Sequence, residues 1–293
     1  MEDNIFLPAR QFLVKAQDER EKLIRDCRDI TAYSKKIIFS AHRIKQNKVD
    51  KSLYKQIMEN FKIVSERIAA VNEQYNCSPQ LDSLKGSVSN ACEEMIEAFT
   101  FIYYVMTKKL LSYEKLMYIL RSMIAAWEGG ILNIAILHHA LDVLLFEVVS
   151  NTIIALEEKE EPGKEDIEIS IISQADYFVG LFDLTGEIMR YTITNLRDYQ
   201  SEVVNPSGFE HFLFMKSLYF EVSDLLDRYP NLNVNKGIWS TSYNGKGVAV
   251  LRKKLEVFKE SVDKIEQSLC DVLIRAKEEI YLRESLAERV EMT

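Results

Sequence analysis

EEMIEAFTFIYYVMTKKLLS, residues Glu93–Ser112, reads as a helix rich in apolar residues, with Glu94 and Glu97 three positions apart. That spacing puts both carboxylates on one face. DYFVGLFDLTGEIMR, Asp176–Arg190, repeats the arrangement with Asp183 and Glu187 four positions apart. Burying an unpaired charge on an apolar face is costly. Four such charges on two helices make sense if a positive centre sits between them. A divalent cation with oxygen ligands is one such centre, since Mg²⁺ is often held by a few carboxylates and water.

The rest of the composition agrees with long helices. The 293 residues suffice for one large or two ordinary domains with a well-buried core. Hydrophobic residues make up 47% and charged residues 28%, as in a soluble globular protein. Only 10 Gly and 5 Pro are present, too few turn residues for a many-stranded β fold. The net charge of −8 means that any nucleic-acid role must rest on a local basic patch or a partner subunit. Cys27, Cys77, Cys92 and Cys270 show no CxxC spacing and read as reduced thiols of an intracellular protein. MEDNIFLPARQ is not a secretory signal, and no basic cluster marks nuclear import.

Periodicity predicts a first helix over about 9–46, ended by QNKVDKS, and a second over about 53–75. Ser78 before Pro79 would cap a third, which carries Glu94 and Glu97 and runs to about Leu111. Ser112 opens a further helix. WEGGILNIAILHHALDVLLFEVVSNTIIAL then begins at Trp127 and is almost continuously apolar. His138, His139, Asp142 and Glu147 argue against a membrane span there and for a buried helix. EEKEEPGKEDIE follows as an exposed acidic linker. Helices are expected over about 173–199, 209–228 and 248–282. They are separated by an NPSG turn, a YPNLNVNKG break and a plain YNGKG loop. In the last helix Leu251, Leu255, Phe258, Val262, Ile265, Leu269 and Val272 form a heptad seam. The expected fold is an all-α bundle of about seven helices. It is a single domain over 1–293 with an atypical apolar segment at about 122–157 and an acidic linker at about 157–170.

The chemistry of the acidic pairs has more than one reading. Each pair could line a solvated helix face. Arg190, three residues after Glu187, could form a structural ion pair. If a metal binds, the absence of nearby Cys and His disfavours zinc, and oxygen ligands suit Mg²⁺ or Mn²⁺. A di-iron bundle would use ExxH, which neither pair has. Carboxylate-held Mg²⁺ typically serves phosphate chemistry.

RDITAYSKKIIFSAHRI (Arg28–Ile44), the two acidic helices, and VFKESVDKIEQSLCDVLIRAKEEI (Val257–Ile280) together resemble the translin-associated factor X branch of the translin family. DLTGE, Asp183–Glu187, is the specific part, because translin proper lacks the aspartate at this position. The resemblance implies a translin-like all-α fold of seven helices and a hollow hetero-octamer with translin, the component 3 promoter of the RNA-induced silencing complex. It implies a Mg²⁺-dependent endoribonuclease on single-stranded RNA, with single-stranded DNA as a further ligand. Passenger-strand removal and trimming of tRNA precursors are the implied tasks. The family's catalytic, metal-binding carboxylates fall on Glu94, Glu97, Asp183 and Glu187. They would hold Mg²⁺ (or Mn²⁺), which activates water for in-line attack on the phosphodiester. The implied location is the cytoplasm, with the nucleus second, and no membrane is involved. The family's basic N-terminal extension has no counterpart here. WEGGILNIAILHHALDVLLFEVV stands where the family has a polar stretch, as a lineage-specific insertion or a translated intron would.

For RNA, Lys35, Lys36 and Arg43 on the first helix and Lys108 and Lys109 after the ExxE pair are the candidate phosphate contacts. A solvated surface role fits each equally well. Two further functional classes stay open. One is a non-catalytic scaffold that stabilises translin, and the other is a di-metal oxidase. An exposed heptad seam and an apolar segment predict poor solubility without a partner.

Overall fold

A computed structural model describes residues 6–77, 84–146, 167–198, 206–232 and 245–291. Eight α-helices are found among them: α1 (Leu7–Ala41), α2 (Lys51–Cys77), α3 (Lys85–Thr107), α4 (Tyr113–Ala125), α5 (Ile134–Phe146), α6 (Gln174–Asp198), α7 (Pro206–Arg228) and α8 (Gly245–Glu291). The described residues contain no strand, only an isolated bridge between Lys45 and Lys48 in a turn. The expected cap at Ser78, Glu147 and most of the acidic linker lie outside the described residues. So do parts of the NPSG, YPNLNVNKG and YNGKG segments. The chain divides into two compact units, Met1–Leu181 and Phe182–Thr293.

In the first unit α3 is the central element. Every side chain from Ala98 to Val105 is buried, so the helix is enclosed all round, as its apolar composition requires. Phe99 packs on Phe61 of α2 with ring centroids 5.4 Å apart. Leu23, Cys27, Ile30, Ile37 and Ile38 of α1 line the same core. Burying side chains of this size is worth about 1.5–3 kcal/mol each. α1 stops at Ala41 rather than near 46. Its end is tightened by Arg43 N–H to Ser40 O and Ile44 N–H to Ala41 O. Gln46 and Asn47 then take left-handed φ of 53° and 55°. The Asp50 carboxylate accepts from Leu53 N–H at 2.8 Å and so caps α2. From Leu7 to Lys22 no side chain of α1 is buried.

α3 ends at Thr107 because Lys108 is left-handed (φ 60°) and returns its N–H to Tyr104 O. Ser112 caps α4 as expected, its side chain accepting from Lys115 N–H. The apolar segment is not one helix. WEGG forms a tight turn with Gly129 and Gly130 at φ 65° and 75°, a conformation glycine adopts without penalty. Trp127 Nε1–H fastens that turn to Ser65 Oγ at 2.8 Å. Asn133 then caps α5 by accepting from Ala135 and Ile136 N–H.

The helix expected to be buried is α5, with Leu137, Ala140, Leu141, Val143, Leu144 and Leu145 inside. Its polar groups are partnered. Tyr54 Oη donates to Asp142 at 2.9 Å and lies 3.0 Å from His138 Nδ1, while His139 Nε2 meets Tyr118 Oη at 3.2 Å. Among the described residues no helix is long and apolar enough to cross a membrane. The acidic linker's described end is not solvated throughout. Asn72 bonds both Glu168 O and Ser170 N, and Ile167 and Ile169 are half-buried.

α6 opens with a reciprocal cap, Ser173 Oγ accepting from Asp176 N–H and the Asp176 carboxylate accepting from Ser173 N–H. Ser89 Oγ of α3 also donates to Asp176, and Tyr177 Oη donates to Leu111 O at 2.6 Å. At Gly180 the backbone of α6 lies against α3. A Cβ there would meet Ile96 Cγ2 at 2.7 Å.

In the second unit the rest of α6 joins α7 and α8. Phe258 of α8 stands edge-on between Phe182 and Tyr219, with centroids 6.4 and 5.5 Å away. The predicted seam of α8 is buried at Leu251, Phe258, Val262, Ile265 and Leu269 and partly covered at Leu255 and Val272. Beyond it Leu273, Ile274, Tyr281 and Leu282 are exposed. On α7 the side chains of Leu213 and Phe220, seven residues apart on one face, are also exposed.

Candidate active site

The first acidic pair sits on the only stripe of α3 that is not buried between Ala91 and Val105. Glu93, Glu94 and Glu97 are partly exposed there, while their neighbours are fully enclosed. Helical spacing and burial therefore aim Glu94 and Glu97 out of the same face. Lys35 of α1 reaches Glu94 with Nζ 3.1 Å from Oε1. Lys35 is a predicted phosphate contact, so α1 brings it to a predicted metal ligand. Both side chains keep solvent access (61% and 29% exposed), and such a pair contributes no more than about 1 kcal/mol.

The second pair lies on α6 in the other unit. Leu184, Thr185 and Ile188 are buried, whereas Asp183 and Gly186 border solvent. Glu187 is buried and accepts a charge-assisted bond from Arg190, one turn on. The ion pair foreseen as a competitor to metal binding is thus formed. Asp183 has a partner that sequence reading missed. Lys254 Nζ of α8 lies 2.6 Å from Asp183 Oδ1. Spacing along one helix reveals i, i+3 and i, i+4 neighbours, but a partner 71 residues away carries no such signal. The weak hint is that Lys254 stands one turn before Phe258 of the seam.

Chemically, the donors of both pairs are carboxylate oxygens alone, a set that fits a hard dication such as Mg²⁺ or Mn²⁺. Glu94, Glu187 and Asp183 each meet a protein cation within their own unit. Among the described residues no three His, Cys, Asp or Glu side chains are grouped as a metal would need. Metal loading would therefore displace lysine and arginine from these oxygens.

The other basic candidates have local roles. Lys36 Nζ stands 3.8 Å from the Tyr33 ring centroid. Arg43 bonds the Gln56 side chain at 2.7 Å. Lys108 folds back so that Nζ donates to Val105 O at 2.9 Å, a favourable place for a cation at a helix C-terminus. Lys109 N–H is held by Thr107 Oγ1.

Comparison with known proteins gives a consistent family. The profile described as Translin family matches residues 18–276. The chain is 22% identical over 286 residues to Translin-associated protein X homolog of Schizosaccharomyces pombe, covering 94% of this chain and 90% of that one. It is 23% identical over 279 residues to Translin-associated protein X of Mus musculus, covering 93% and 79%. The solved structure described as apo-NeC3PO superposes with a TM-score of 0.55 at 14% identity, over 93% of this chain and 98% of that one. The fold is the all-α, translin-like one that the resemblance implied.

Proposed function

This chain belongs to the translin family, and on that footing we propose that it is the Mg²⁺-dependent endoribonuclease subunit of a hetero-oligomer with translin, acting on single-stranded RNA. Asp183 carries the reading. It is an aspartate in the middle of an apolar helix, one turn from the buried Glu187, in the DLTGE context that sets the factor X branch apart from translin. Glu94, Glu97, Asp183 and Glu187 would hold the ion, which when bound polarises a phosphoryl oxygen and makes hydroxide available near neutral pH. Helical spacing orients each pair, and the enclosed helix backs keep the carboxylates from turning inward. Lys35 and the other basic candidates supply positive charge to a subunit of net charge −8. Passenger-strand removal in RNA silencing and tRNA precursor trimming are the tasks this activity would serve, in the cytoplasm and secondarily the nucleus.

A specific observation favours a second reading. Glu94, Asp183 and Glu187 each have a counter-cation, so the carboxylates could be structural ion pairs in a non-catalytic scaffold that stabilises translin. Cleavage of a labelled single-stranded RNA by the co-expressed complex separates the two. The expected result is cleavage with Mg²⁺, none with EDTA, and none from assembled Glu97→Ala or Asp183→Ala complexes. Cleavage that survives either substitution supports the scaffold.

A further inference from the structure

We propose that Phe39 of α1 is a stacking platform for an unpaired base of single-stranded RNA. The inference rests on the RNA ligand of the function proposed above and needs no metal.

Phe39 stands out by where it sits. Ile37, Ile38, Ser40 and Ala41 are buried, and Phe39 between them is turned outward and is 67% exposed. Among the described residues from Lys15 to Gly130 it is the one large hydrophobic side chain left exposed. Helical spacing flanks it with cations. Lys35 and Lys36 lie one turn before it and Arg43 one turn after it, on the same face. Each of these cations is held at its far end by another group. Lys35 Nζ is 3.1 Å from Glu94 Oε1, Lys36 Nζ is 3.8 Å from the Tyr33 ring centroid, and Arg43 bonds Gln56 at 2.7 Å. They stand beside the phenyl ring without covering it. Tyr33, Lys36 and Phe39 also form one row three residues apart, so two aromatic rings and a cation alternate over about 9 Å of helix. Through Lys35 the platform adjoins Glu94 of the candidate site.

A phenyl ring offers no hydrogen bond, so what it gains from a partner is contact with its face and edge. The core of a protein interface is depleted of lysine. Here two lysines and an arginine stand around a single ring, not around an apolar patch. A single-stranded polynucleotide uses both features, cations for its backbone and an aromatic face for a base. The base must be unpaired, because a duplex keeps its bases stacked on one another. With a net charge of −8 the chain has no general attraction for a polyanion, so a local basic cluster has to supply it.

The test uses the full chain co-expressed with translin, unmodified and as Phe39→Leu and Phe39→Trp, in EDTA so that the strand stays whole. Two fluorescein-labelled strands of equal length are titrated, oligouridylate and a ribose–phosphate strand without bases. Phe39→Leu should bind oligouridylate roughly 10-fold more weakly, as for loss of one stacked base, and the baseless strand unchanged. Its salt dependence should keep the unmodified slope, since no phosphate contact is lost. Phe39→Trp should bind oligouridylate at least as tightly as the unmodified complex. Unchanged affinity of Phe39→Leu for oligouridylate overturns the inference, as does an equal loss on both strands or a Phe39→Trp complex as weak as Phe39→Leu. A Phe39→Leu chain that no longer assembles with translin overturns it in favour of a protein partner on the ring. Phe39-dependent binding by a complex that never cleaves with Mg²⁺ leaves this inference standing and sinks the nuclease reading. Cleavage with Phe39-independent binding does the reverse, and a complex that binds neither strand overturns both.

Discussion

At the scale of single residues, the two acidic pairs were legible because helical periodicity fixes which side chains share a face. Their counter-cations were legible only where they lay one turn away, as Arg190 does. Lys35 and Lys254 come from other helices, and no spacing rule reaches them. Gly186 shows what else one position can do. It lies mid-helix between Asp183 and Glu187, and a Cβ there would meet nothing within 4 Å. Alanine should therefore relieve the helix of glycine's disadvantage and stabilise the protein by about 0.5–1 kcal/mol, measured as a higher urea midpoint. Under the proposed function, Gly186→Ala should also slow cleavage, since the added methyl stands on the carboxylate stripe. Titration gives a second residue-scale test. Burial, then the nearby Asp26, pushes the Cys27 thiol up to about 11, above its ordinary 9.0. The neutral thiol is favoured in the folded state. Its contribution is complete below pH 9 and is lost as pH rises through 11. Unfolding midpoints should fall across that window, and Cys27→Ala should flatten the fall.

At the scale of elements, the sequence announced each helix through its apolar period, and the differences lie at the ends. α1 closes five residues early: its last turn tightens at Arg43 and Ile44, and left-handed Gln46 and Asn47 then reverse the chain, which no apolar pattern encodes. The described part of the apolar segment is buried along α5, as expected, but interrupted by a turn that its composition did not signal. The WEGG turn depends on Trp127 finding Ser65 across the unit, a contact invisible in one dimension. The partners of His138, His139 and Asp142 make α5 a working part of the first unit rather than an appended stretch. The crossing of α3 and α6 is tested at Gly180. Gly180→Ala forces a methyl into the buried, stiff side chain of Ile96 and should cost about 1–3 kcal/mol. The same substitution at Gly186, six residues along the helix, should have the opposite sign. Paired denaturation curves for the two variants compare them directly.

At the scale of the whole molecule, composition alone gave the class, since scarce glycine and proline leave long helices as the remaining option. What composition could not give is which apolar side chains stay uncovered. Phe6, Leu7, Phe12, Leu13 and Val14 at the start of the chain, Leu213 and Phe220 on α7, and Leu273, Ile274, Tyr281 and Leu282 on α8 are all exposed. Under the proposed assembly, a partner would cover such side chains. Soluble yield should rise when the chain is co-expressed with translin, and thermal unfolding should become dependent on the concentration of the complex. Equal yield of monodisperse chain without translin would count against obligate assembly.

The uncovered first half of α1 has a bearing on the cell as well as on the test tube. Sixteen residues of helix with no buried side chain draw little stability from packing, the main source of helical stability in proteins. A copy made in excess of its assembly partner would offer this apolar end to chaperones and proteases. Its abundance would then track the supply of the other subunit through turnover of orphans, with no need for matched synthesis.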